Sequence, residues 1–220
     1  MVTAPGDGRI VIARLFAVAV TIFARVVTGV RGEWRGCLPE ARQRIYFANH
    51  SSHGDFVLIW TVLPAALRRC TRPVAAADYW RQGRLRRFIG DKVFDAVLID
   101  RDPASRQADP IEILLAAFDR GASLIFFPEG TRNTTGQRLL PFRSGLYRLA
   151  SARPQVELVP VWIDNLNRVL PKGEFIPLPL LCTVTFGAPV SVALGEESGQ
   201  FRERSRDALL ALAPAVEGEE

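Results

Sequence analysis

Six short runs of aliphatic, β-branched and aromatic residues, at 45–48, 74–77, 96–99, 123–127, 157–163 and 183–186, alternate along this chain with segments of helical period. This alternation constrains the fold most, because neighbouring parallel strands must be joined by crossovers and helices supply them. The expected helices are 56–69, 79–88, 110–120 and 145–152, with a last helix at 198–213 running into an acidic terminus. Residues 32–40 read as a loop, and 164–181, with Pro171, Pro177 and Pro179, as a long surface excursion. The fold class expected is therefore α/β, a single domain with a mainly parallel sheet flanked by helices. At 220 residues and 48% hydrophobic content the chain suits one sizeable core and is short for two.

An excess of 28 basic over 23 acidic residues gives a formal charge of +5, which favours anionic partners: phosphate groups, acidic lipid headgroups or nucleic acid. Cys37, Cys70 and Cys182 are scattered, odd in number and without metal-ligand spacing. Neither a disulfide framework nor a zinc site is expected, and a reducing, cytosolic setting fits.

Residues 10–30 are strongly apolar but carry Arg14 and Arg25, and the uninterrupted stretch between them is far short of the roughly 20 residues of a spanning helix. At about 100° per residue, Arg14, Thr21, Arg25 and Thr28 share a narrow stripe, while Val11, Leu15, Ile22 and Val26 lie elsewhere around the helix. Two readings stay open: an interfacial helix lying on a membrane, or a helix packed on the protein's own core with one polar edge. A signal peptide fits less well, since the cleavage-like Ala17-Val18-Ala19 would cut inside the apolar run.

Three polar clusters follow three of the expected strands: Asn49-His50, Asp100-Arg101, and Pro128-Glu129-Gly130-Thr131-Arg132. In a parallel sheet they share the carboxyl edge, where open α/β sheets bind ligands. His50 is a candidate general base and needs a partner to fix its tautomer. Asp55 is that candidate. Five helical steps turn through roughly 140°, so the Ser51-Ser52-His53-Gly54 segment must bend for the two to meet. Taken alone, the motif equally fits a loop histidine followed by a serine-capped helix. No Gly-x-Ser-x-Gly elbow is present, and no cysteine pairs with a second histidine, so a substrate hydroxyl is the natural nucleophile. His50 and His53 are the only histidines, so no metal site is expected, and no Walker loop or dinucleotide fingerprint suggests a cofactor.

In the third cluster Gly130 lets backbone N–H groups approach an oxyanion, Thr131 adds a hydroxyl, and Arg132 suits bidentate phosphate binding, with Arg101 and Arg143 as further charges. Alone, such a turn is more commonly a solvated loop carrying a surface salt bridge.

Taken together, Asn49-His50-x4-Asp55, Ile99-Asp100-Arg101, Phe127-Pro128-Glu129-Gly130-Thr131-Arg132 and Val159-Pro160-Val161 resemble, in order and spacing, the motifs of the glycerolipid acyltransferases, most closely the bacterial 1-acyl-sn-glycerol-3-phosphate acyltransferases. The resemblance covers about residues 45–163. It implies a membrane-associating segment at 1–35 and an acyltransferase domain at 36–220. It also implies that His50 deprotonates a lysophospholipid hydroxyl, that Asp55 orients His50, and that Arg101, Glu129, Gly130, Thr131 and Arg132 hold the acceptor's phosphate and order the site. The implied donor is acyl-CoA or acyl carrier protein, and the acceptor is 1-acylglycerol-3-phosphate, giving phosphatidate. A peripheral or monotopic location on the cytoplasmic face of the inner membrane goes with it. The second motif lacks the glycine often found at its start, which leaves open another acceptor, such as a lyso-ornithine lipid. A hydrolase using the same base on an ester or thioester is the remaining catalytic alternative.

Tyr79 and Trp80 with Arg81, Arg84, Arg86 and Arg87 mix aromatics and cations as membrane-surface segments do, and equally fit a solvated helix face. They are not interleaved as in a nucleic-acid module, so no nucleic-acid partner is expected.

Overall fold

The computed structural model describes residues 7–100, 102, 106, 108–164 and 181–215. The elements run α1 (Asp7–Thr28), β1 (Arg31–Trp34), β2 (Arg44–Ala48), α2 (Asp55–Val62), α3 (Ala65–Cys70), β3 (Thr71–Ala76), α4 (Ala77–Trp80) and α5 (Arg84–Phe88). A π-helical turn (Ile89–Val93) leads to β4 (Val97–Ile99), α6 (Pro110–Asp119), β5 (Ser123–Phe126), α7 (Gly145–Ala152), β6 (Glu157–Asp164), β7 (Thr183–Phe186) and α8 (Ser198–Leu210). Most of the excursion expected at 164–181 lies outside the described residues.

Among the described residues the sheet has seven strands in the order β1-β7-β6-β2-β5-β3-β4. Every pairing is parallel except β6 with β7. Buried on both faces, β2 sits at its centre between β6 and β5. Its side chains alternate: Tyr46 and Ala48 join the core beneath α1 and α2, while Ile45 and Phe47 join the core beneath α6, α7 and α8. A helix layer therefore covers each face.

Local chemistry sets the element ends. The helix expected at 56–69 is two, because Pro64 offers no N–H and holds Leu63 extended at ψ 138°. Gly83, at φ +84°, divides the one expected at 79–88. Asp109 caps α6 by accepting the Ile111 N–H at 2.9 Å, with Pro110 at its first position. Residues 32–34, read as the start of a loop, belong instead to β1. Trp34 stacks on Phe186 of β7, with ring centroids 3.9 Å apart.

Helix α1 packs part of its expected polar stripe, Thr21 and Thr28, on the domain. Ala13, Thr21, Ala24 and Thr28 turn inward, whereas Leu15, Phe23 and Val26 are 64, 69 and 78% exposed. Thr21 Oγ accepts a hydrogen bond from Arg68 at 2.8 Å, and Phe16 meets Phe88 edge to face. The small and polar side is the one packed on the domain and the large apolar side faces out, the reverse of a helix that packs its apolar side on its own core. By length and composition, Val11–Thr28 is also sufficient to cross a membrane.

Candidate active site

Because β2 and β5 are parallel neighbours, their carboxyl ends deliver the first and third clusters to one place on the sheet edge. The chain leaves β2 through Asn49, whose side-chain amide donates to the carbonyl of Ile163 at 2.9 Å and accepts from its N–H at 2.8 Å. These two bonds clamp the end of β2 to β6, so His50 starts from a fixed backbone.

Residues 51–54 form the required bend, and Asp55 opens α2. Asp55 Oδ2 lies 2.9 Å from His50 Nδ1 and also accepts the backbone N–H groups of Ser51 at 2.7 Å and Ser52 at 2.9 Å. Three donors converge on one oxygen, while Oδ1 is buried without a hydrogen-bond partner. The carboxylate is 1% exposed and the imidazole 15%, so the pair is fixed from below and open above. With Nδ1 engaged by Asp55, Nε2 is the nitrogen left to exchange a proton with a substrate. The ring also stacks on Phe127, centroids 4.2 Å apart and planes 19° from parallel.

Glu129 sits beneath this pair, 2% exposed. One carboxylate oxygen accepts the His50 N–H at 2.7 Å and the other the Leu140 N–H at 2.9 Å. Burial raises its pKa, and those two N–H groups pull the other way. Its carboxylate faces the protein backbone rather than the open rim. Gly130, Thr131 and Arg132 are exposed beside it. Gly130 has φ +70°, and a Cβ placed there would lie 2.7 Å from Arg143 Cδ, so the Arg143 side chain crosses directly over this turn. Arg132 and Arg143 make no ion pair among the described residues.

The second cluster stands farther off. β4 lies three places from β2 in the sheet, about 14 Å at the usual strand spacing. Asp100 pairs with Arg81 at 3.1 Å, and Arg101 lies outside the described residues. The structure thus brings together His50, Asp55 and the 129–132 turn, and puts Ile99 and Asp100 on the same edge at a distance.

Sequence reasoning missed the Phe127 platform, the Ser51 and Ser52 N–H donors and the stacking of His53 on Tyr79, centroids 5.1 Å apart, itself capped by Arg86 at 4.6 Å. No periodicity signals such contacts, which arise from chain reversal and strand neighbours.

An α/β sheet whose carboxyl edge carries a histidine fixed by a buried carboxylate, beside an arginine-bearing glycine turn, defines a centre for moving a proton next to an anion. Residues 33–164 match the family model described as Acyltransferase. The chain belongs to the acyltransferase family. It is similar to a protein named 1-acyl-sn-glycerol-3-phosphate acyltransferase of Cocos nucifera, 31% identical over 157 residues, covering 70% of this chain and 47% of that protein. It is also similar to the Mus musculus protein named 1-acyl-sn-glycerol-3-phosphate acyltransferase alpha, 30% identical over 177 residues, covering 77% of this chain and 58% of that one. The chain spans about half the length of the curated relatives it matches. Among solved structures, the 1-acyl-sn-glycerophosphate (LPA) acyltransferase PlsC from Thermotoga maritima shares the fold, with TM-score 0.68 and 19% identity over 98% of this chain and 86% of that one.

Proposed function

We propose that this protein transfers a fatty acyl group from a thioester donor, acyl-CoA or acyl carrier protein, to the free hydroxyl of a lysophospholipid, with 1-acylglycerol-3-phosphate as acceptor and phosphatidate as product. The observation that carries the reading is the His50 Nδ1 to Asp55 Oδ2 contact of 2.9 Å in a chain of the acyltransferase family. Family relatives bearing the name of this acceptor support the choice of lysolipid.

In this mechanism Nε2 of His50 takes the acceptor's hydroxyl proton as the oxygen attacks the thioester carbonyl. The C–O bond forms, the C–S bond breaks, and His50 returns the proton to the departing thiolate. Asp55 holds the ring and stabilises the imidazolium. The acceptor's own hydroxyl is the nucleophile and no acyl-enzyme is formed; Ser52 Oγ accepts the Gly54 N–H at 3.2 Å within the turn. Arg132 and Arg143, exposed and without ion-pair partners among the described residues, receive the acceptor's phosphate over Gly130 and Thr131, with Arg101 as a further phosphate ligand. Glu129 orders the site from below.

Helix α1 brings the enzyme to its lipid. With Ala13, Thr21, Ala24 and Thr28 packed on the domain, it lies along the bilayer surface with its apolar face in the lipid, on the cytoplasmic face of the inner membrane.

The test is acyl transfer by purified protein from labelled acyl-CoA to a panel of lysolipids. The wild type forms diacyl product with the phosphate-bearing acceptor, and His50→Ala loses ~10²-fold or more. Undiminished transfer by that variant would sink the mechanism.

A further inference from the structure

A cavity of about 930 Å³ lies between α1, α3, the start of β3 and the π-helical turn. Arg68, Arg69, Arg72 and Lys92 line it, with Asp95 as its acidic group, and Ala13, Ala17, Val18, Trp60 and Phe94 form its apolar walls. Asp95 is taken up by Arg72 at 2.6 Å. The other three cations have no carboxylate partner among the described residues. Arg68 leans over the Trp60 ring at 5.0 Å and donates to Thr21 Oγ and the Leu63 carbonyl, while its Nε is buried and unpaired. Burial, and then the Arg25 guanidinium, pulls Arg68 below the ordinary arginine range, so positive charge is concentrated there without a counterion.

The cavity is separate from the active site. Arg72 and Ile45 pair with the same residue of β5, Leu124, so Arg72 is level with the residue five places before His50. At about 3.3 Å per residue that is roughly 16 Å along the strand, toward the amino edge of the sheet. The apolar wall, by contrast, is continuous with the outward face of α1, since Val18 belongs to both.

We infer that this cavity holds an anionic phospholipid of the same leaflet, its phosphate among Arg68, Arg69 and Lys92 and its acyl carbons along Ala13, Ala17 and Val18. The inference rests on the reading of α1 as a bilayer face. Charge complementarity and the continuity of the wall with α1 select the occupant: a soluble anion would leave the apolar side empty, and a neutral lipid would leave three cations unmatched. The bound lipid pins the α1 face to an anionic leaflet independently of acceptor binding at His50.

Vesicle flotation tests this with full-length protein, comparing phosphatidylcholine vesicles with phosphatidylcholine–phosphatidylglycerol vesicles. Wild type binds both, and the anionic vesicles more tightly. Arg69→Gln with Lys92→Gln, both exposed positions, lowers binding to the anionic vesicles about ten- to thirty-fold at unchanged binding to neutral ones, since each cation at an anionic surface contributes roughly five-fold. Adding Arg68→Gln deepens the loss. Arg120→Gln with Arg153→Gln, at the ends of α6 and α7 on the other face of the sheet, retains the preference. Equal wild-type binding to both compositions overturns the lipid site, as does an equal loss in the two pairs of variants. Binding of inorganic phosphate to wild type that is lost in Arg69→Gln with Lys92→Gln, together with equal wild-type binding to the two vesicle compositions, would make the ligand a free phosphate and overturn the lipid. Failure at the separate premise reads out differently: if Phe23→Asp with Val26→Asp leaves binding to neutral vesicles unchanged, the bilayer reading of α1 falls.

Discussion

The backbone N–H of His50 is held by the carboxylate of Glu129 at 2.7 Å, across a sequence separation of 79 residues. The third motif therefore acts on the first through the main chain, and Glu129 is a positioning residue. Glu129→Ala leaves the His50 and Leu140 N–H groups without their acceptor. An unsatisfied donor in such a place costs roughly 1–3 kcal/mol, so the variant, with two, should lose about 2–6 kcal/mol of stability and transfer more slowly at saturating substrate. Urea unfolding and kcat check this together. A loss below about 0.5 kcal/mol would mean that water replaces the carboxylate freely.

Asp55→Asn separates charge from geometry. The three donors converge on Oδ2, and Oδ1 has no partner, so an asparagine with its oxygen in the place of Oδ2 keeps the turn and puts its amide where Oδ1 was. It cannot stabilise an imidazolium as a carboxylate does. The variant should keep the turn at a Tm lowered by its unpaired buried amide and lose ~10²–10⁴-fold in kcat, while Asp55→Ala, which also frees the Ser51 and Ser52 N–H groups, loses more stability as well as rate. Near wild-type kcat in a folded Asp55→Asn protein would reduce Asp55 to a turn former.

Much of this was legible in the sequence, and the exceptions have physical causes. The runs at β2, β4 and β5 announced parallel strands, and polar clusters placed directly after them had to share an edge. Strand order was not legible, because it depends on which neighbour each strand finds; β3 pairs with β5 through Pro73 and with β4 from Val74. Hence the Ile99-Asp100-Arg101 motif reads as adjacent to His50 when its strand is three places away. Arg31-Gly32-Glu33-Trp34 gives no apolar run, and only the partner strand β7 makes it a strand. For α1, the period located the stripe of Thr21 and Thr28 but not which side the protein would occupy. The His50–Asp55 pairing was readable because a turn was the one way to join them, whereas Phe127 beneath the ring was not.

Gly130→Ala tests the anion turn. A φ of +70° disfavours any Cβ, and this one would meet Arg143 Cδ at 2.7 Å. The backbone cost is about 1–2 kcal/mol, and the displaced Arg143 no longer crosses the turn. The expected result is a modest fall in stability with a raised KM for the phosphate-bearing lysolipid. An unchanged KM would remove the Arg143–Gly130 arrangement from acceptor binding.

The acid limb of stability has an identifiable contributor away from the site. Glu196 forms a fork with Arg204, at 2.8 and 2.7 Å, and accepts the Ala193 N–H at 2.9 Å. The Arg204 hydrogen bond, then that N–H, brings the Glu196 carboxyl down from 4.5 to about 2. Because the folded value lies below the unfolded one, the unfolded chain binds more protons between them, and stability rises with pH through that window. The contribution is complete above about pH 4.5 and is lost as the pH falls toward 2. Glu196→Gln should thus lower Tm near neutrality and converge with wild type near pH 2, with added salt narrowing the gap at neutral pH because the fork is at the surface. Parallel Tm-against-pH curves for the two proteins across that window would remove Glu196 as a source of the acid dependence.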